Sequence, residues 1–425
     1  MFKPSQTFCI LPWTHLFLSV DGHFYPCCRC VDSELPNVNE EGQPYRFTGQ
    51  TSLEAAWNSE YMKRVRADMI NGQRPRPCQT CFMIEDLGVQ SDRERLNRLY
   101  SSYLSDPAFS PPNDGTASVT FKTFDIRLGN LCNLRCRMCS PRASRSLLQE
   151  FVTLYNLSDE SKLVKAAKDS DWIDTRILLE LFERFAPELD ELHFAGGEPF
   201  LISAMFDVLR YLVDRGLASR ISLAYVSNLT AFPEALRDLW PHFKGVRLSV
   251  SLDGHERVNS YIRFPSVWKS LQANLRTVDS DANTLNCKTL RFYTTVQVYN
   301  VFSLPDLFDY IFETFSLFDP FPNLIIVQEP SCFDIQVLPQ QLKSAITARY
   351  HDYIESRSAV WRSRASTSHI SEFTTKLEGV IRHMNEFDAS FRIPEFVRRT
   401  NLHDAYRQQR ASELIPELLP LFDMA

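Results

Sequence analysis

Phe121-Lys-Thr-Phe-Asp-Ile-Arg-Leu-Gly-Asn-Leu-Cys132-Asn-Leu-Arg-Cys136-Arg-Met-Cys139-Ser-Pro141 is the stretch whose reading decides the fold. Phe124, Ile126 and Leu128 alternate with polar residues as a β-strand does, and Gly129-Asn130 then breaks the pattern. Cys132, Cys136 and Cys139 therefore arrive together on the loop beyond one strand end. A structural tetrahedral zinc site wants four protein ligands, and a four-iron cluster has four irons to satisfy. Three cysteines leave one coordination position open, where a substrate or cofactor can bind.

Working outward, about 60 residues further on, Glu191-Leu-His-Phe-Ala195 reads as a second short strand and runs straight into Gly196-Gly197-Glu198-Pro199. Paired glycines let the backbone approach a ligand closely, and Glu198 supplies a carboxylate beside them. Taken alone, the cysteine spacing also suits half of a zinc site completed from elsewhere, or three unrelated buried cysteines.

Upstream, Cys9 opens a segment that reads as two short strands joined at Asp21-Gly22, a strong hairpin signal, and that ends in Cys27-Cys28-Arg29-Cys30. A helical stretch over 53–69 follows, then Cys78-Gln-Thr-Cys81. Two sulfurs separated by two residues can grip one metal or two corners of one cluster. A zinc hairpin without redox role needs no more than this, and His15 and His23 read as ordinary surface or core histidines. A charged helix over 94–103 leads into a connector holding Pro107, Pro111, Pro112 and Gly115, which neither continues a helix nor joins a central strand.

At 425 residues and 44% hydrophobic content the chain is long enough for two or three globular domains. A net charge of −6 gives no electrostatic case for long nucleic acid as substrate. No apolar run approaches the roughly 20 residues that span a bilayer, and Met-Phe-Lys-Pro-Ser-Gln lacks the apolar core of a secretory signal, so the expectation is a cytoplasmic protein with no membrane partner. In a reducing compartment, 11 cysteines point to metal ligation rather than disulfides. The 31 phenylalanines fill a core.

From residue 121 strand-like and helix-like patterns alternate, which predicts parallel βα units and an α/β fold. Strands are expected at 124–128, 191–195, 221–226, 246–252, 290–298 and 323–327, with helices at 177–185, 204–215, 233–239, 266–278 and 307–315. Catalytic groups of closed βα barrels sit at the C-terminal strand ends. Here those ends carry the three cysteines, Gly-Gly-Glu-Pro, Ser227-Asn228-Leu229-Thr230, and Ser249-Val-Ser251-Leu-Asp253-Gly254. Small hydroxyls and amides there can hydrogen-bond a nucleoside-like ligand, and Arg263 can pair with a carboxylate or form a surface ion pair. Gln328 and Glu329, past the last strand, face either substrate or solvent. Cys287 and Cys332 fit no ligand spacing. Beyond 336 the pattern is helical, at 340–356, 370–386 and 402–419, with Pro394 and Pro416 as breaks.

The C-x3-C-x2-C loop, followed by Gly-Gly-Glu-Pro, resembles the radical S-adenosylmethionine (radical SAM) superfamily. The N-terminal cysteines, with twelve residues, Gly22 and four residues between Cys9 and Cys27, then Trp57 and C-x2-C, resemble the SPASM and twitch auxiliary-cluster modules of the same superfamily. Such modules usually follow the barrel; here the order is inverted. The resemblance implies a partial (β/α)6 barrel over 121–335, an auxiliary-cluster domain over 1–105, a linker over 106–120 and a helical C-terminal cover over 336–425. It implies a [4Fe-4S] cluster on Cys132, Cys136 and Cys139, one auxiliary [4Fe-4S] cluster on Cys9, Cys27, Cys78 and Cys81, and S-adenosylmethionine held at Gly196, Gly197, Glu198, Asn228, Ser251, Asp253 and Arg263. Cys28 and Cys30 are left over: either replaces Cys27, ligates a second cluster or is simply buried. The glycine-containing adenine motif of some relatives is missing at the fifth strand, Phe292 to Asn300.

The implied activity is reductive cleavage of S-adenosylmethionine to a 5′-deoxyadenosyl radical that abstracts a substrate hydrogen, first of all from a peptide or protein side chain. Two alternatives stand beside it, a radical SAM enzyme acting on a small sugar- or nucleoside-like metabolite and a non-catalytic metal-binding scaffold. Expected partners are the peptide or small-molecule substrate and a reduced ferredoxin- or flavodoxin-type electron donor. No residue is assigned as catalytic acid, base or nucleophile.

Overall fold

Alternation decides the first strands. On β3, Thr123–Arg127, the side chains of Phe124 and Ile126 are fully buried on one face, and on β4, Glu191–Ala195, Leu192 and Phe194 repeat the pattern. The helix Thr175–Phe185 covers that face, with the rings of Phe124 and Phe182 5.6 Å apart. Each such apolar side chain withdrawn from water contributes about 1.5–3 kcal/mol. Asp174 starts this helix by accepting from the backbone N–H of Arg176 and Ile177. The opposite face of the strands carries Thr123, Asp125, Arg127 and His193.

This computed structural model describes all residues except 1, 2, 34, 50, 87–89, 108, 171 and 425; Ala108 of the expected linker thus lies outside the described residues. The chain divides into two compact units. One holds Met1–Leu131, Lys165–Tyr225 and Ala235–Val246; the other holds Cys132–Val164, Val226–Glu234 and Arg247–Ala425. The division cuts along two strands, β5 (Ser222–Ser227) and β6 (Gly245–Ser251).

In the first unit, β1 (His15–Leu18) and β2 (Phe24–Tyr25) form the antiparallel hairpin that Asp21-Gly22 announces, with Phe17 opposite Tyr25. Gly22 has φ +76°, and a Cβ there would lie 2.8 Å from the Trp172 ring, so only glycine makes this turn against that indole. β1 then pairs in parallel with β3, His15 opposite Thr123 through Leu18 opposite Ile126. The cysteine-rich hairpin therefore extends the sheet that leads into the cysteine loop. An unpaired strand edge invites such an addition, and nothing in the sequence advertises which segment takes it. The stretch 53–69 forms two helices, Leu53–Trp57 and Glu60–Ile70, because Ser52 and Ser59 each cap a separate start.

In the first unit the strand order is β2-β1-β3-β4-β5, and in the second β7 (Cys287–Val296) pairs with β8 (Asn323–Ile326). The pairings β3/β4, β4/β5 and β7/β8 are parallel, as the alternating pattern predicts. In the second unit the helices Leu304–Thr314, Gln340–Trp361 and Thr367–Glu386 share an aromatic core, with Phe373 stacked on Phe321 at 4.4 Å and Trp361 edge-on to both. Pro394, expected as a break, falls in the first turn of the helix Ile393–Arg407, where its missing N–H has no helical partner to lose. No helix among the described residues is long and apolar enough to cross a membrane.

Candidate active site and metal centres

In the second unit the three cysteines lie on one tight loop. Cys139 N–H donates to Cys136 O at 3.0 Å, and Leu134 N–H lies 3.4 Å from the Cys132 sulfur. Cys136 is buried, Cys132 and Cys139 half-buried. Burial pushes the Cys139 thiol up to about 11, with the negative charge of Cys132 adding to it. Burial pushes Cys136 higher still, opposed by the Arg263 guanidinium. Three sulfurs whose charges act on one another, in surroundings hostile to free thiolate, are a donor set that bound iron would relieve.

The strand-end residues singled out from the sequence gather at this loop in two ways. Asn228, directly after β5, donates from Nδ2 to Asn133 Oδ1 at 3.1 Å and lies 3.8 Å from the Cys132 sulfur. Arg263 brings Nη1 to 4.0 Å from the Cys136 sulfur and Nε to 2.7 Å from Asp253 Oδ2. Asp253 is fully buried and also accepts from Thr295 N–H at 2.7 Å. Burial raises its pKa while Arg263 pulls the other way. Ser251 closes β6, half-buried.

In the first unit the Gly-Gly-Glu-Pro loop is fastened to the residue bonded to Cys132. Glu198 N–H donates to Leu131 O at 2.7 Å. Gly197 has φ +53°, and a Cβ on it would lie 2.4 Å from that same carbonyl oxygen. Glu198 is buried, and its Oε1 accepts from Phe200 N–H at 3.2 Å, capping the turn Pro199–Leu201.

The second group of cysteines, also in the first unit, rings a cavity of about 80 Å³ lined by Cys9, Cys27, Cys28, Cys30, Cys78 and Cys81. Among the described residues no three His, Cys, Asp or Glu side chains are drawn tightly enough together to hold a single ion; the sulfurs stand around a space instead. The site thus brings together the four expected ligands and adds Cys30, which is fully buried, 3.7 Å from the Cys27 sulfur and hydrogen-bonded to Cys78. A signal for Cys30 was present: Cys27-x2-Cys30 repeats the spacing of Cys78-x2-Cys81. The hydrogen bond with Cys30 lowers the Cys27 pKa, whereas burial raises Cys9 well above its ordinary value and Cys81 to about 11. Cys28 is exposed and interacts with Asp125 and Arg127 on the polar face of the sheet. A ring of six sulfurs around a shared space fits an iron–sulfur cluster.

On that polar face Arg127 grips Asp125 with two contacts of 2.9 Å, and His193 Nδ1 lies 3.2 Å from Asp125. Against the cost of burial, Arg127 and His193 hold Asp125 well below the usual carboxylate range. Burial lowers His15, whose Nδ1 is 2.7 Å from Thr123 Oγ1, to about 4.

An α/β sheet with three cysteines on one loop at a strand end, and six more around a cavity, has the donor sets that two iron–sulfur clusters would need. Residues 126–284 match the family model described as Radical SAM superfamily, and residues 9–82 match SPASM, described as Iron-sulfur cluster-binding domain. The chain thus carries a SPASM domain preceding a radical SAM domain. Its cofactors are accordingly an iron–sulfur cluster with S-adenosylmethionine, and an auxiliary iron–sulfur cluster. No curated protein matches the chain. Among solved structures it is similar to Streptococcus suis SuiB bound to S-adenosylmethionine (12% identity, TM-score 0.35, covering 75% of this chain and 66% of that one). Others are anSMEcpe with bound AdoMet and Kp18Cys peptide (15%, 0.34, 49% and 52%) and SuiB bound to precursor peptide SuiA (14%, 0.35, 81% and 71%). The chain spans about half to two thirds of the length of the first two.

Proposed function

We propose that this chain is a radical SAM enzyme that modifies a peptide or protein side chain. The observation that carries the reading is the loop of Cys132, Cys136 and Cys139: three mutually interacting sulfurs, braced by Asn228 and Arg263, with no fourth cysteine in the loop. In this assignment those cysteines hold the cluster, the Gly196-Gly197 backbone and Glu198 take the methionine amino group, and Arg263 takes the carboxylate. Asn228 and Ser251 offer hydrogen bonds to the nucleoside, and Asp253 orients Arg263. When bound, the cluster and S-adenosylmethionine supply a 5′-deoxyadenosyl radical able to remove a hydrogen atom from substrate. Cys9, Cys27, Cys78 and Cys81 hold the auxiliary cluster.

The choice of a peptide substrate is supported by the SPASM domain, since many enzymes with such a module modify peptides. The assigned organisation is an auxiliary domain over 1–105, a linker over 106–120, the barrel over 121–335 and a helical cover over 336–425, in a cytoplasmic enzyme served by a reduced ferredoxin- or flavodoxin-type donor. The test is reductive cleavage: anaerobically reconstituted protein with dithionite and S-adenosylmethionine yields 5′-deoxyadenosine, and the Cys136→Ala variant does not. Equal yields from both proteins would end this reading.

A further inference from the structure

The loop between the second and third cluster cysteines holds one charged residue, Arg137, and it is 1% exposed. A guanidinium in that position needs a partner, because an unpaired buried charge is prohibitively costly. The partner comes from more than 260 residues away in sequence. Asp404, on the helix Ile393–Arg407, pairs with Arg137 Nη2, which also donates to Gln409 Oε1 at 3.1 Å. The guanidinium lies 3.6 Å over the Tyr261 ring, whose hydroxyl donates to Asp404 at 2.9 Å. Asp404 accepts a further bond from Ala411 N–H at 2.6 Å. Arg137 Nη1 remains a buried donor with no acceptor among the described residues.

The residue on the other side of Cys136 is fastened to the same helix. Arg135 Nη1 lies 3.5 Å from Glu150, which accepts from Arg407 Nε at 2.9 Å and is paired with His403. Both neighbours of the buried cysteine are thus tied to acids that the helix Ile393–Arg407 supplies or holds.

Resting on the reading that Cys132, Cys136 and Cys139 carry a cluster, we propose that Arg137 and Asp404 are positioning residues for it. The C-terminal helix fixes the loop, and Asp404 balances a permanent positive charge placed between two ligands. The pair thereby sets how easily that cluster takes up an electron. The reduction potential of a cluster follows its local charge and hydrogen bonding.

The experiment is an EPR-monitored redox titration of the reconstituted full chain, in which the auxiliary cluster serves as internal reference. Asp404→Asn leaves Arg137 unbalanced and should raise the potential of the radical-site cluster, making its reduction about tenfold easier, which is about 59 mV for a one-electron couple. Arg137→Gln should move it the other way, the double variant should return close to wild type, and Asp404→Glu should restore the wild-type value. Should Asp404→Asn fail to fold, Arg137→Gln and the double variant, in which no charge is left unpaired, still give the sign and the return. Unchanged potentials, or an auxiliary cluster that moves equally, would overturn the proposal. If instead Cys136→Ala binds as much iron as wild type, it is the cluster assignment that has failed.

Discussion

Arg263 stands 2.7 Å from Asp253 through Nε and 4.0 Å from the Cys136 sulfur through Nη1, so one guanidinium joins a fully buried carboxylate to the cysteine loop. Read from the sequence, each residue is a separate candidate for the cofactor. Paired, they form one device, with Asp253 acting through Arg263. Breaking a buried pair by removing one charge costs about 3–5 kcal/mol, whereas replacing both with apolar groups of similar volume is often neutral. Asp253→Asn should therefore lose stability of about that size in chemical denaturation, and Asp253→Leu/Arg263→Met should regain most of it without regaining S-adenosylmethionine binding. A loss below about 1 kcal/mol in the single variant would show that the pair carries little.

Gly197 is fixed by geometry rather than by preference. With φ +53° and only 2.4 Å between a built Cβ and Leu131 O, alanine there must push the loop off the residue that leads into Cys132. The left-handed conformation costs a side-chain-bearing residue about 1–2 kcal/mol before that clash is counted. Gly197→Ala should keep its iron and weaken S-adenosylmethionine binding by about tenfold or more, read by equilibrium dialysis beside an iron assay. Undiminished binding would remove this loop from the cofactor site.

Cys27 and Cys30 cannot both occupy corners of one cluster where they stand. Each iron of a four-iron cluster takes one cysteine, and a sulfur separation of 3.7 Å is close to the roughly 3.8 Å between two thiolates on a single tetrahedral ion at about 2.3 Å. The hydrogen bond between them lowers Cys27 and raises Cys30, so Cys27 is the readier of the two to serve as a thiolate ligand. Cys27→Ser and Cys81→Ala should each lose about one cluster's worth of iron with the radical-site cluster intact. Cys30→Ser should retain the iron and change only the auxiliary EPR signal. Loss of zinc rather than iron in any of them would contradict an iron–sulfur site.

The parts of this chain that local chemistry dictates were legible in advance. Strands at Glu191–Ala195 and Asn323–Ile326, the Asp21-Gly22 turn and the cysteine loop all follow from side-chain alternation and glycine placement within a few residues. What needed the fold was long-range pairing. No periodicity couples His15 to Thr123, Arg137 to Asp404 or Glu150 to His403, since each contact is made across more than 100 residues by side chains that are individually unremarkable in their own segments. Cys30 lay in between: its spacing from Cys27 was visible, but its burial beside Cys78 was not. The helix Leu148–Tyr155 starts without a side-chain cap, so the sequence carries no local signal for its beginning.

His15 gives the N-terminal hairpin a sensitivity to acid. Burial lowers its pKa from 6.5 to about 4 in the fold, with the Asp125 carboxylate opposing that shift. Between those values the unfolded chain binds a proton that the folded chain refuses, so stability rises with pH across the window and falls as acid is added. The full shift corresponds to about 3 kcal/mol, of which about 2 should be lost between about pH 7 and about pH 5. Asp125 adds in the same direction at lower pH, because its lowered pKa stabilises the fold only while the carboxylate stays ionised. Urea midpoints at the two pH values measure the effect, and His15→Gln, which keeps a hydrogen-bonding group for Thr123 Oγ1, should flatten the difference by about that amount. An equal pH dependence in the two proteins would show that His15 is protonated as readily in the fold as out of it.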